Sequence, residues 1–249
     1  MFRNVFFSGL LTVTVFSALS YGDFVPVAAI PGSGLQGLNG EFWHGVGSQG
    51  SIAGNDAYVA ANPVPTETFQ INQINTANVA DSTSLKSFLN SGTSVATNFS
   101  AGDGSQYDTH QSYFIFTGYL AVTAAGTSTW NFETNSDDYT QLLINGTTVL
   151  ARTSSDAPTK TGTAVFDGPG LYAFTLKFSN NGGGIQVIAA ADQTGGGNFN
   201  PISSSSFYET TASTAAPEPA AWQLLTAGCV LLAAGLRQRK ASRSDSICE

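Results

Sequence analysis

YFIFTGYLAVTAAGTSTWNFETNSDDYTQLLINGTTVL, residues Tyr113 to Leu150, holds two strand-like runs, a two-aspartate corner and a hairpin in close succession. Apolar and polar residues alternate through it, and successive side chains on a strand point to opposite faces, so each run can bury one face and solvate the other. Asn145-Gly146 between LLI and TTVL predicts a two-residue hairpin, because both central residues of a type I′ turn need positive φ. Asp137 and Asp138 are the chain's only adjacent carboxylates and fall in a turn between apolar strands. Any defined binding chemistry is expected there.

Outward from this stretch the pattern repeats. Strands are predicted at Tyr113–Thr123, Ser128–Asn135, Thr140–Ile144, Thr147–Arg152, Thr163–Asp167, Leu171–Phe178 and Ile185–Ala190, with a last one near Ser206–Glu209. Gly168-Pro169-Gly170 and Gly182-Gly183-Gly184 mark further turns. Upstream, LNGEFW at Leu38–Trp43 reads as a first strand, and Thr66–Ile74 as holding one short strand. Glycines, Asn residues, Pro63 and Pro65 make the region from His44 to about Asn75 read as irregular. One short helix is predicted before the tail, with Ser82 or Ser84 as N-cap, Leu85, Phe88 and Leu89 on one face and Gly92 as the stop. Strands at regular intervals with turn residues between them imply an all-β sandwich or barrel.

Charge narrows the partners. Only 10% of the 249 residues are charged. Residues 21–216 carry four basic side chains, Lys86, Arg152, Lys160 and Lys177, against fourteen acids, a net of −10. Such a surface repels phosphate backbones, so nucleic acid is not an expected partner, whereas a cation or a neutral ligand such as sugar is compatible. Both cysteines, Cys229 and Cys248, lie in the C-terminal tail, and the only histidines are His44 and His110. A Cys-based zinc site in the body is excluded and a His-rich site is not expected.

The two ends read as addresses. Arg3, an apolar run from Val5 to Leu19, and Ala18 and Ser20 at −3 and −1 of a cut before Tyr21 form a signal-peptide pattern over residues 1–20. Residues 21–34 follow as a leader. Near the other end, residues 210–219 read as a linker, Ala220–Leu236 as an apolar helix of short membrane-spanning length, and residues 237–249 as a basic tail kept cytoplasmic by its charge. Pro217-Glu218-Pro219, the apolar helix and the cluster of Arg237, Arg239 and Lys240 resemble the PEP-CTERM sorting signal of Gram-negative, biofilm-forming bacteria. That resemblance implies processing by an exosortase-type membrane protease, a transient stay in the inner membrane, and delivery to the outer surface or extracellular matrix. The extra residues Ala241–Glu249 depart from it, and a plain C-terminal anchor is the alternative reading.

The body, residues 35–209, resembles the protective-antigen domain family of anthrax toxin, yeast adhesins and bacterial glycosidases. The matching residues are LNGEFW; Gly118; Trp130 to Phe132; Ser136 to Asp138; Leu142 to Gly146; and Gly170 to Leu176 ahead of an amide-bearing loop. The region between Trp43 and Asn98 departs from the family's usual aromatic and basic positions. The resemblance implies a single antiparallel β-sandwich, jelly-roll-like, with one short helix. It also implies a cis peptide between Asp137 and Asp138, and calcium held by those two with Asn180 or Asn181, where the ion takes two hydroxyls of a glycan. Calcium wants six to eight oxygens, usually anchored by two or more carboxylates. Read from the residues alone, Ser136-Asp137-Asp138 is equally an Asx-type turn without metal. Tyr139 is the expected ligand-facing aromatic, and Trp130 is expected in the core. Asp103–Asp108 reads as a solvated turn, lacking the later Glu of a full calcium loop. Neither a nucleophile elbow nor a legible pair among Glu41, Glu67 and Glu133 points to catalysis. The expected function is a non-catalytic, exported binding module for exopolysaccharide or another glycan in the envelope or biofilm matrix; the alternative is a structural matrix protein without a small ligand.

Overall fold

A computed structural model describes residues 23–153 and 158–210. The expected signal segment, the linker after Thr210, the PEP motif, the apolar helix and the basic tail lie outside these residues. Among the described residues no helix is long and apolar enough to cross a membrane.

In chain order the elements are β1 (Leu38–Trp43), α1 (Ile52–Ala61), β2 (Glu67–Ile71), β3 (Val79–Ala80), α2 (Leu85–Leu89), β4 (Ala96–Thr97), β5 (Ser112–Val122), β6 (Thr127–Asp137), β7 (Tyr139–Ile144), β8 (Thr147–Arg152), β9 (Thr159–Asp167), β10 (Gly170–Asn180), β11 (Gly184–Asp192), β12 (Asn200–Pro201) and β13 (Phe207–Tyr208). They form two antiparallel sheets. The larger runs β4-β2-β1-β5-β10-β7-β8, with β13 also paired to β5; the smaller runs β12-β11-β6-β9, with β3 paired to β11. This is the antiparallel sandwich that the family resemblance implies, and one of the two all-β arrangements that the strand spacing allowed.

The long strands bury alternate side chains between the sheets. Phe114, Phe116 and Leu120 of β5 and Tyr172, Phe174, Leu176 and Phe178 of β10 face Trp130 and Phe132 of β6, Phe166 of β9 and Ile185 and Val187 of β11. The rings interlock: Phe166 meets Tyr172 edge-on at 4.6 Å and Phe114 stacks on Phe178 at 5.5 Å. Each such pair adds about 0.5–1.5 kcal/mol beyond the area it buries. Trp130 sits in this core, as expected. In the β7–β8 turn, Asn145 and Gly146 have φ of 48° and 77°, the predicted pair of left-handed residues.

Three features differ from the expectation. Residues 52–61, read as irregular, form α1. Its Ser51 cap accepts a bond from Gly54 N–H at 3.0 Å, but tertiary contacts hold it. Ile52, Trp43, Val46 and Tyr113 make a small second cluster outside the larger sheet, Asp56 accepts from Tyr113 Oη at 2.7 Å, and Lys177 Nζ lies 2.8 Å from the same carboxylate. The predicted helix is α2, capped by Ser84, and α1 joins it, making two α-helices among the described residues. Finally, the leader is attached to the sandwich: Phe24 bridges Phe166 and enters the core, and Ala28 bridges Leu171.

Candidate functional site

At one end of the sandwich the interior changes from apolar to polar. β6 places Trp130, Phe132, Thr134 and Ser136 inward in turn, and β7 opposes them with Thr140. Thr134 and Thr140 bond at 3.1 Å, and Ser136 Oγ donates to Asp138 O at 2.9 Å. Arg152, the last residue of β8 and 4% exposed, donates through Nη1 to the carbonyls of both Ser136 and Asp138. A buried guanidinium thus braces the chain on either side of the Asp137–Asp138 peptide. That peptide is cis, the conformation which the family resemblance implies.

Asp137 and Asp138 come within hydrogen-bonding reach of one another, and the Asp137 pKa is raised by its burial first and then by the charge and hydrogen bond of Asp138; Arg152 opposes the rise. Two acids against one cationic group leave the corner with a formal charge of −1, which favours a cation.

The glycine loop between β10 and β11 closes the site. Asn181 N–H donates to Asp138 Oδ2 at 2.7 Å. Asn180 is fully buried; its Nδ2 donates to Thr109 O at 2.8 Å, and its Oδ1 accepts from Gly182 N–H at 3.1 Å. Gly182 and Gly183 have φ of 135° and 98°, which side chains other than glycine rarely adopt. At Gly184 the space is shared: a Cβ there would lie 3.1 Å from both Asp137 Oδ2 and Asn78 Oδ1. The missing side chain leaves a gap between two oxygens from opposite walls.

The structure therefore brings together Asp137, Asp138, Asn180 and Asn181 as the sequence grouped them. Tyr139 follows directly, partly buried against the Trp43–Tyr113 cluster under α1. The Asp103 carboxylate lies in an exposed turn, where Ser105 N–H and Lys86 bond it and Lys86 first of all holds its pKa down at about 2. Among the described residues no three His, Cys, Asp or Glu side chains sit together as a metal cluster. Two contributors were missed. Arg152 carried a signal, as one of four basic residues in the body and the end of an apolar strand; Asn78, in NVADSTS, carried none.

No protein-family profile matches the chain, and no curated protein does. Solved structures do. The PA14 domain of the antifreeze protein MpAFP superposes with a TM-score of 0.60 at 21% identity, covering 73% of this chain and 95% of that one. A PA14 sugar-binding domain from an RTX adhesin gives 0.55 at 23% identity, covering 70% and 99%. The A domain of epithelial adhesin 9 from Candida glabrata, solved with Galβ1-3GlcNAc, gives 0.51 at 8% identity, covering 75% and 94%. The body thus shares the β-sandwich fold of these domains. Specifically, that fold is the PA14 sandwich, shared at identities that speak to fold alone.

Proposed function

We propose that this chain is an exported, surface-associated and non-catalytic module that binds a neutral glycan through calcium held at the Asp137–Asp138 corner. The observation that carries the reading is the pairing of the Asp137 and Asp138 carboxyls beside the glycine loop, with Asp137 Oδ2 at the gap left by Gly184 and Asp138 Oδ2 on Asn181 N–H. The donor set fits the ion: Asp137, Asp138 and the amide oxygens of Asn180 or Asn181 are all hard oxygen ligands. Calcium, when bound, supplies open coordination positions for hydroxyl oxygens. The protein's own part is to hold two like charges together, and Arg152 does so from beneath through two carbonyls.

The glycan assignment draws on the shared sandwich, since one neighbour is a sugar-binding domain and another was solved with a galactoside. The strongly acidic body supports a neutral ligand over an anionic one. The terminal segments support export by a signal peptide, transient anchoring in the inner membrane, exosortase-type cleavage near Pro217-Glu218-Pro219 and release to the surface or biofilm matrix. Glycan-array binding that is lost in EDTA and in Asp137→Ala is the expected result. Binding to no glycan, combined with a weakened biofilm on gene deletion, would instead make the chain a structural matrix protein.

A further inference from the structure

The acidic corner has a third wall, from a part of the chain that carries no motif. β3 lays residues 78–81 along the glycine loop, pairing Ala80 with Gly184 and Val79 with Ile185. Asp81 grips that loop twice: its N–H donates to Gly183 O at 2.9 Å, and its Oδ2 accepts from Gly183 N–H at 2.9 Å. His110 Nδ1 meets the same Oδ2 at 2.5 Å, and its ring would touch any side chain placed at Gly182. Thr109, next to His110, donates through both N–H and Oγ1 to Asp81 O at 3.0 Å and accepts from Asn180 Nδ2. One hydrogen-bonded chain therefore runs from Asp81 through Thr109 to Asn180 and back through the glycines. At its head, Asn78 Oδ1 and Asp137 Oδ2 each lie 3.1 Å from the empty Cβ position of Gly184.

Resting on the calcium-and-glycan reading above, we infer that Asn78 is a further ligand-contacting residue of the corner, and that Asp81, held by His110, is the positioning residue that sets the glycine loop against Asp137 and Asp138. An Asn side chain offers a neutral carbonyl oxygen to a hard cation and two N–H donors to a hydroxyl. With the Asp137 carboxylate at the same gap, this wall disfavours carboxylated or sulfated sugars, so the ligand class is a neutral polyhydroxylated glycan.

The test is calorimetric titration of calcium chloride into the full chain and into Asn78→Ala, Asn78→Asp, Asp81→Asn and Asp137→Ala, with each melting temperature measured in EDTA. Groups that support metal ligands typically change affinity 10–100-fold, so Asp81→Asn and Asn78→Ala are each expected to weaken calcium binding about 10-fold. In EDTA Asn78→Ala is expected to melt with the wild type, and Asp81→Asn to lose only the small stability its partly exposed His110 pair supplies. Asn78→Asp is expected to tighten binding, because affinity rises with ligand charge; a misfolded variant would not gain. Wild-type protein that binds calcium, with the residue 78 and 81 variants within about twofold of it, overturns this inference and leaves the corner standing. So does an affinity loss accompanied by a parallel loss of stability in EDTA. No binding by the wild type, or undiminished binding by Asp137→Ala, overturns the corner's calcium and this inference with it.

Discussion

Replacing Arg152 by Met keeps most of the buried stem and removes only the guanidinium. The carbonyl of Ser136 then loses its guanidinium donor, and that of Asp138 keeps only Ser136 Oγ, in a site where Arg152 is 4% exposed. A hydrogen bond to a charged group contributes about 1.5–3 kcal/mol, and breaking a buried charged arrangement by removing one partner costs about 3–5 kcal/mol. The expected loss is therefore about 3–5 kcal/mol, read as a fall in the urea midpoint at unchanged slope. Lys86→Met is the control. Its pair with Asp103 is solvent-exposed and screened, so its loss should leave the midpoint nearly unchanged. The deficit of Arg152→Met should also shrink in acid. Arg152 lowers the Asp137 pKa against burial and Asp138, so its removal pushes that carboxyl further up. A group whose folded pKa exceeds its unfolded value loses stability as pH rises through the interval between them. Here that interval starts near 3.8 and widens in the variant, and protonation below it removes the repulsion. A midpoint at neutral pH no lower than that of the Lys86 control would refute the bracing role given to Arg152.

Phe166→Ala removes a fully buried ring that touches Phe24, Trp130, Phe132 and Tyr172, and should cost about 3–5 kcal/mol in chemical denaturation. Gly184→Ala puts a methyl group 3.1 Å from Asp137 Oδ2 and Asn78 Oδ1, so calcium-induced stabilisation should fall sharply in thermal melts while the EDTA melt changes little. Tyr113→Phe loses the bond to Asp56 that helps hold α1, and should cost about 1 kcal/mol, with faster amide exchange confined to residues 52–61. The pKa of Asp81 is lowered, chiefly by its His110 bond and then by Gly183 N–H. Its contribution is thus present above the ordinary Asp value and lost as pH falls through the depressed one. Asp81→Asn should flatten that part of the acid-unfolding curve.

What could be read in advance follows from the range of the interactions. Strands such as β5 and β10 announce themselves because eleven residues of alternation each repeat the same instruction to one face. The Asn145-Gly146 turn and the Ser84 cap are equally local. The Asp pair stood out because carboxylates are rare in this body and adjacent ones unique. By contrast, α1 contains Gly54, Asn55 and Val59, all weak helix formers, and owes its place to Trp43, Tyr113 and Lys177, which lie elsewhere in the chain. Asn78 and Asp81 reach the site only through pairing with residues more than a hundred positions away. Nothing local in NVADSTS records that meeting. Phe24 likewise looked like leader because its partner, Phe166, lies in β9.

The direction of β10 has a consequence for display. Its first residues lie beside the leader at Ala28 and, across β5, near β13, while its last residues meet Asp138 and the glycine loop. Eleven residues of strand at about 3.3 Å each separate the two by about 33 Å. Both described ends of the chain therefore leave from the pole opposite the acidic corner. A tag or spacer joined at either described end starts far from the corner and leaves it clear for a binding assay.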